Sequence, residues 1–230
     1  MINIRQATNM KKIFVFTLVL FLIGCKKKER QAESIYEEVN RITELKNYTI
    51  SKEKVNDSIF EIRGINNQFN IVGYLDEKNN KKVGWYLVNK NNITKDTVLN
   101  AEYLPLGNKE FINQYILYEN NKINLKISKF YKNYNRNNNY KVHFNLPADM
   151  NFITNSYTFK YFVMLNNNVV VSEKISGTSS PSNKFDFNIN LSKYPNFNFI
   201  KGVFSCYASR NLGKDSIQVV NTQIYTEFYR

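Results

Sequence analysis

Residues able to perform acid–base, nucleophilic or metal chemistry are scarce in this chain of 230 residues, which has one His and two Cys. His143 is the only imidazole, so a Ser–His–Asp or Cys–His arrangement would have to use it. It lies between Val142 and Phe144 in an alternating segment, which predicts that His143 points to the face opposite theirs. No nucleophile stands beside it in the sequence. We therefore expect a surface His and no catalytic residue.

The sequence also predicts no metal site and no cofactor. Two Cys and one His cannot build a four-ligand structural zinc site or a disulfide-rich scaffold. Neither an Asp-x-Asp-x-Asp calcium loop nor a Gly-rich phosphate loop occurs. A glycosidase needs two carboxyl groups about 5 to 10 Å apart across a cleft. After residue 135 the carboxylates are only Asp149, Glu173, Asp186, Asp215 and Glu227. An enzyme acting on envelope polysaccharide is thus a minor alternative to a non-enzymatic protein.

The most specific signal lies at the N-terminus. Met10-Lys11-Lys12 is a short positive segment, and the apolar run 13–23 that follows it is interrupted only by Thr17. A membrane-spanning helix needs about 20 apolar residues, so this shorter run predicts a secretory signal. It ends in Leu22-Ile23-Gly24-Cys25, which resembles a bacterial lipobox. The resemblance implies a signal peptide over 1–24, attachment of a diacylglycerol with palmitate-type acyl chains to the Cys25 thiol, and cleavage before Cys25.

The residues after the lipobox bear on location. By analogy with other lipoproteins, Lys26 directly after Cys25 favours the outer membrane of a bacterial cell envelope. Surface-exported lipoproteins of Bacteroidota-type bacteria tend to carry acidic residues at this point, which Lys26-Lys27-Lys28-Glu29 does not match. We expect the periplasmic side. Because Cys25 is lipidated in this interpretation, no second Cys is left to form an intramolecular disulfide with Cys206, which is predicted to be buried as a small apolar residue. An intermolecular disulfide is the alternative.

The chain has 32 Lys and Arg against 19 Asp and Glu, which gives a net charge of +13. A basic protein of this kind could bind nucleic acid. The charge is spread along the chain, however, and Arg, the residue suited to bidentate phosphate contacts, is rare. We therefore predict no nucleic-acid partner.

A helix and a run of short strands organise the first half of the mature chain. Residues 25–47 are predicted as a tether and helix, with apolar residues at three- and four-residue steps over 29–46. Residues 48–134 change to short strands separated by Asn-rich turns, at a spacing typical of an antiparallel meander. The predicted strands are 59–62, 69–75, 83–88, 98–104, 111–118 and 123–131.

Part of this meander is similar to a known repeat. Val83-Gly84-Trp85-Tyr86, followed by a turn at Asn91-Asn92-Ile93, resembles the degenerate MORN-like unit of antitoxin-type repeat proteins, and mostly uncharacterised lipoproteins of Bacteroidota-type bacteria carry similar units. The likeness covers about 70–134, although Asn92 and Asn121 stand where the repeat usually has Gly. It implies stacked β-hairpins and no catalytic residues. It also motivates an alternative function, an immunity-type protein that neutralises a toxin.

Aromatic residues of the same region are candidates for a binding surface. Trp85, Tyr86, Tyr74 and Tyr103 could together bind sugar rings or a partner protein, since aromatic side chains are enriched at interfaces. The alternative, which the repeat resemblance favours, is that Trp85 fills the core of its own hairpin stack.

Residues 135–230 predict a second β domain. The polar segment 133–139 is interpreted as a linker. After it, apolar residues alternate over 142–146, 157–165 and 185–191, with further strands at 169–175, 197–207 and 217–229. Six or seven strands in this length are typical of a small immunoglobulin-like β-sandwich. The expected fold is therefore mainly β: a short N-terminal helix, an antiparallel MORN-like β-meander and a sandwich.

Together these observations predict a lipid-anchored cell-envelope lipoprotein acting as a non-enzymatic binding module. Its expected partners are the membrane, through the N-terminal lipid, and a protein or a glycan.

Overall fold

The computed structural model of the protein describes residues 35–107, 109–136, 139–148, 153–166, 168–180, 183–213 and 216–230. The chain divides into two units, 1–38 and 39–230. The predicted signal peptide, Cys25 and the predicted tether up to residue 34 lie outside the described residues. The first described element is helix α1 (Ile35–Ile42), followed by a short 3₁₀ turn (Leu45–Asn47). The helix ends at Ile42, four residues before the predicted residue 46. Directly after its end, the Thr43 hydroxyl donates to the Val39 carbonyl at 2.8 Å.

Fourteen strands follow in the described residues, so the expected mainly-β, antiparallel class is confirmed. Seven of them form one sheet in which each strand pairs antiparallel with the next in the chain. They are β1 (Thr49–Lys54), β2 (Ile59–Ile65), β3 (Phe69–Asp76), β4 (Lys81–Lys90), β5 (Thr97–Leu106), β6 (Lys109–Glu119) and β7 (Lys122–Ile123). We call this sheet the meander.

The expected Asn turns have a visible backbone cause. Asn80, Asn120 and Asn121 adopt φ values of 49°, 50° and 60°. Asn tolerates this left-handed region better than other residues with a Cβ atom. At another turn, the Asn66 side-chain oxygen accepts the backbone N–H groups of Gln68 and Phe69, both at 2.8 Å. The short polar side chain therefore supplies the hydrogen bonds that reverse the chain.

The remaining seven strands form two sheets that share one core. Their bounds are β8 (Phe130–Arg136), β9 (Asn139–Asn145), β10 (Ile153–Leu165), β11 (Asn168–Ser180), β12 (Lys184–Asn190), β13 (Phe199–Gly213) and β14 (Ser216–Tyr229). One sheet has the order β12-β9-β8 and the other β11-β10-β13-β14. Phe144 of the first sheet stacks on Phe204 of the second, with ring centroids 4.4 Å apart. Cys206 is buried in this core, as predicted.

The predicted linker over 133–139 is wrong. Strand β8 runs through Arg136 and pairs with β9 from Phe130↔Asn145 to Arg136↔Asn139. The predicted strand 123–131 is correspondingly divided between β7 and the start of β8. The reason is that a ladder uses backbone groups, so polar side chains do not prevent pairing when a neighbouring strand is available.

Side chains of the meander and of β8 complete the free edge of β14. Asn113 on β6 accepts the Tyr225 N–H at 2.7 Å and donates to the Tyr225 carbonyl at 2.8 Å. The Tyr131 hydroxyl accepts the Glu227 N–H at 3.3 Å and donates to its carbonyl at 3.2 Å. An edge strand otherwise leaves such groups unpaired. The Asn113 bonds connect the meander to the sandwich, and the Tyr131 bonds connect the two sheets of the sandwich, in both cases through backbone groups of β14.

Candidate functional site

The outer face of the meander carries a group of exposed apolar side chains. Residues alternate in direction along β3 and β4, and the inward set includes Ile71, Tyr86 and Val88, all buried. Pointing the other way are Tyr74, Trp85 and Leu87, which are 38%, 43% and 39% exposed. The half-buried Val72 and Val83 lie on the same face. We call these five residues the aromatic surface: Val72, Tyr74, Val83, Trp85 and Leu87.

Strand register makes this surface continuous. Val72 lies opposite Leu87, and Tyr74 lies opposite Val83. Side chains directly opposite each other on antiparallel strands have Cβ atoms about 5 Å apart. Trp85 stands between Val83 and Leu87 on the same face of β4. The two exposed aromatic rings therefore belong to neighbouring strands with apolar residues between them.

A bulge at Gly84 shapes the surface. The register between β3 and β4 shifts at this point, and Gly84 has a φ of +66°. Gly adopts this conformation without a steric penalty, which is why bulges of this kind place it there. A Cβ atom on Gly84 would lie 3.7 Å from the Tyr74 ring. The bulge thus lets the chain turn beside Tyr74 and returns Trp85 to the outer face.

The four aromatic residues predicted as a binding surface separate into two pairs. Tyr86 and Tyr103 are fully buried and pack edge to face with centroids 5.2 Å apart, so they are not part of any surface. The Tyr86 hydroxyl donates to the Tyr74 carbonyl, and burial raises the pKa of Tyr86. Trp85 and Tyr74 are exposed, so the expectation that Trp85 fills the core is wrong. Alternation along β4 is the reason, because an inward Tyr86 requires an outward Trp85.

Carboxylates stand beside both exposed aromatic residues. Glu61 of β2 lies directly opposite Tyr74, and Glu102 of β5 lies directly opposite Trp85. Glu61 is paired with Arg63 at 2.7 Å. Sequence reasoning missed both carboxylates, as well as Leu87, Val72 and Val83. Their period-two alternation was a usable signal for the face, but the pairing of Glu61 and Glu102 with the aromatic residues depends on the register.

Glu102 is held by neutral groups. Its Oε2 atom accepts the side-chain amides of Asn113 at 2.6 Å and Gln114 at 2.8 Å. No Lys or Arg of the described residues forms an ion pair with Glu102. These two amides fix the position of the half-buried Glu102 carboxylate, on the strand beside the exposed Trp85.

His143 points away from the sandwich core, as predicted. Its Nδ1 atom lies 2.6 Å from the Asp186 carboxylate, which also accepts a contact from Lys141 at 2.8 Å. Partial burial alone would raise the pKa of Asp186, but the hydrogen bonds from Lys141 and His143 outweigh that effect and lower it. This arrangement links β9 to β12 across the outer surface of the three-stranded sheet. Lys141, His143 and Asp186 therefore form a polar cluster on the surface of this sheet.

Two further observations concern the described parts of the chain. They contain no group of three or more His, Cys, Asp or Glu residues close enough to hold a metal ion. Within the same residues, no helix has the length and apolar character needed to cross a bilayer.

No known protein family, curated protein or solved structure matches this chain.

Proposed function

We propose that this protein is a lipid-anchored lipoprotein of the bacterial cell envelope whose aromatic surface binds a partner, without catalysis. The observation that carries the proposal is the exposure of Tyr74, Trp85 and Leu87 together on one face of a well-packed sheet. Single exposed apolar residues are ordinary, whereas a contiguous group marks an interaction site. Trp and Tyr are also the residues that most often dominate binding energy at interfaces.

We also propose a MORN-like hairpin stack for the meander and an immunoglobulin-like topology for the sandwich. Seven strands joined in chain order by short turns support a MORN-like hairpin stack for the meander.

For the sandwich, the seven strands β8–β14 take the letters A to G in chain order. The three-stranded sheet is then E-B-A and the other D-C-F-G. The immunoglobulin fold likewise places A, B and E in one sheet and C, F and G in the other. Only strand D differs from the constant-type arrangement, since here it lies beside C.

The anchor rests on the N-terminal signal. Cys25 at the end of the lipobox-like sequence is the proposed lipid attachment point, and each buried methylene of its acyl chains contributes about 0.8 kcal/mol of membrane binding. Lys26, Lys27 and Lys28 would then lie at the headgroups, where each adds about 1 kcal/mol of attraction to anionic lipid. We place the anchor in the outer membrane, with the protein facing the periplasm.

The anchor is tested by fractionating cells that express the full chain. Cys25→Ser removes the acylated thiol, so the variant should leave the membrane fraction. Cys206→Ser is the matched control, since it changes the only other Cys and should leave fractionation as in the wild type. Retention of Cys25→Ser in the membrane would refute the anchor.

The binding surface is tested by crosslinking in intact cells, with one membrane-permeant and one membrane-impermeant reagent. Wild-type protein should give a defined crosslinked species with the permeant reagent alone, as expected for a periplasmic location. Trp85→Ala should abolish this species, while Leu106→Ala, which truncates an apolar residue of similar exposure at the end of β5, should preserve it. A crosslinked species that survives Trp85→Ala unchanged would rule out the aromatic surface as the binding site.

A further inference from the structure

We propose that the partner of the aromatic surface is a protein presenting a basic segment, with an Arg or Lys side chain over Trp85 and against Glu102. This inference rests on the proposed function and adds the chemical class of the partner.

Local charge at this surface has the opposite sign to the whole chain. The carboxylates at outer-face positions of β1–β5 are Glu53, Glu61, Asp76 and Glu102. The basic residues at such positions are Arg63 and Lys81, and Lys109 of β6 lies on the same face opposite Leu106, so four acids stand against three bases. The whole chain carries +13. An acidic face on a strongly basic protein favours a cationic partner, because complementary potentials steer association and repel acidic competitors.

Glu102 is the best-placed anion for such a contact. Both amides that hold it bind the same oxygen, Oε2, which fixes the orientation of the carboxylate. The other oxygen has no hydrogen-bond partner among the described residues. Trp85 lies directly opposite on the adjacent strand, at a Cβ separation of about 5 Å. A single side chain of a partner can therefore reach the carboxylate and the indole together.

Arg and Lys suit this combination better than a neutral ligand does. A cation within about 6 Å of an aromatic centroid is attracted by the electron-rich face of the ring, most strongly for Trp. The planar guanidinium of Arg also stacks on aromatic rings and donates to a carboxylate. A neutral sugar would stack on the aromatic rings but would gain no electrostatic attraction from the carboxylates. An acidic segment would be repelled by them.

The test uses the full chain in nonionic detergent and three labelled probes: a hexa-arginine peptide, a hexaglutamate peptide and a neutral Gly–Ser peptide. Binding is measured by fluorescence anisotropy at low and physiological salt. Trp85→Ala and Glu102→Gln should each weaken hexa-arginine binding by roughly two- to fivefold, as expected for one exposed cation–π or ion-pair contact. Glu119→Gln removes one exposed carboxylate from the end of β6 and is the charge-matched control. It should leave the affinity unchanged.

The outcomes separate this inference from the proposed function. Equal hexa-arginine affinity in the wild type, Trp85→Ala and Glu102→Gln would overturn the basic partner, and so would equal binding of the three probes. If the partner crosslinked in cells is lost in Trp85→Ala under either of those results, the binding surface stands and only its charge preference is wrong. If the crosslinked partner is retained in Trp85→Ala, the proposed function itself fails.

Discussion

The buried Lys129 should make the stability of this protein increase with pH. Lys129 precedes β8 and is 7% exposed, and its Nζ atom donates to the Ile112 carbonyl at 2.7 Å. A second carbonyl, that of Gln223, is 3.5 Å away, and the Phe111 ring centroid is 5.1 Å away. No carboxylate forms an ion pair with it among the described residues. Burial lowers the pKa of Lys129 from 10.5 to about 7.

The sign and size of the effect follow from linkage. Above about pH 7 the native protein has released the Lys129 proton, whereas the unfolded chain keeps it until about pH 10.4. Because the unfolded state then binds more protons, the free energy of unfolding rises by about 1.4 kcal/mol per pH unit. Between pH 7.5 and 9.5 the gain is about 3 kcal/mol, and below pH 7 it is lost.

Other groups restrict the pH range in which this slope can be measured. Burial also lowers the pKa of Lys82, outweighing the attraction of Glu110, so Lys82 adds a slope of the same sign. Burial raises the pKa of Tyr48 to about 12, and a raised tyrosine pKa makes stability fall above about pH 10. The comparison should therefore be made between variants and below pH 9.5.

The assay is urea denaturation of the wild type and Lys129→Met at half-unit steps from pH 7.5 to 9.5. Met keeps the apolar stem and removes the titrating group, so the slope should fall by about 1.4 kcal/mol per pH unit, whatever happens to the absolute stability. Lys132→Met changes an exposed lysine of β8 and should keep the wild-type slope. Parallel curves for the wild type and Lys129→Met would show that Lys129 remains charged in the native state, and would refute the reasoning.

Three further substitutions test the packing of the meander and of the sandwich. Asn113→Ala leaves the backbone groups of Tyr225 without their partners and should lower the free energy of unfolding by about 2 to 3 kcal/mol in urea denaturation. Phe144→Ala removes the ring that stacks on β13 in the sandwich core and should cost about 3 to 5 kcal/mol in the same assay. Gly73→Ala would place a Cβ atom 2.5 Å from the Tyr86 ring, so thermal denaturation should show a loss of about 1 to 3 kcal/mol.

Each of these has a matched comparison. Asn70→Ala removes a half-buried side-chain amide that donates to the Asn91 side chain, and it should cost less than Asn113→Ala; equal losses would contradict a special role for the Tyr225 contacts. Phe162→Ala, at a half-buried position of β10, should cost less than Phe144→Ala. For the glycine, adding Tyr86→Leu should relieve the clash, so the two changes should be less than additive. Strict additivity would show that the ring is not the obstacle.

Local sequence determined where most strands and turns lie. The predicted strands 69–75, 83–88, 98–104 and 111–118 fall within β3, β4, β5 and β6. Period-two alternation and the left-handed tolerance of Asn act within a few residues, so they can be interpreted without the fold. The lipobox-like sequence at Cys25 is local in the same sense.

Tertiary structure decided what such patterns leave open. Strand β1 has the polar sequence Thr-Ile-Ser-Lys-Glu-Lys and is a strand because β2 pairs with it, and β8 forms in the same way. Register between neighbouring strands of the meander brings Glu102 opposite Trp85 and Glu61 opposite Tyr74. It also places Tyr86 and Tyr103 in the core. Residue type states what a side chain can do, but its neighbours on the adjacent strands depend on pairing and register that no local pattern encodes.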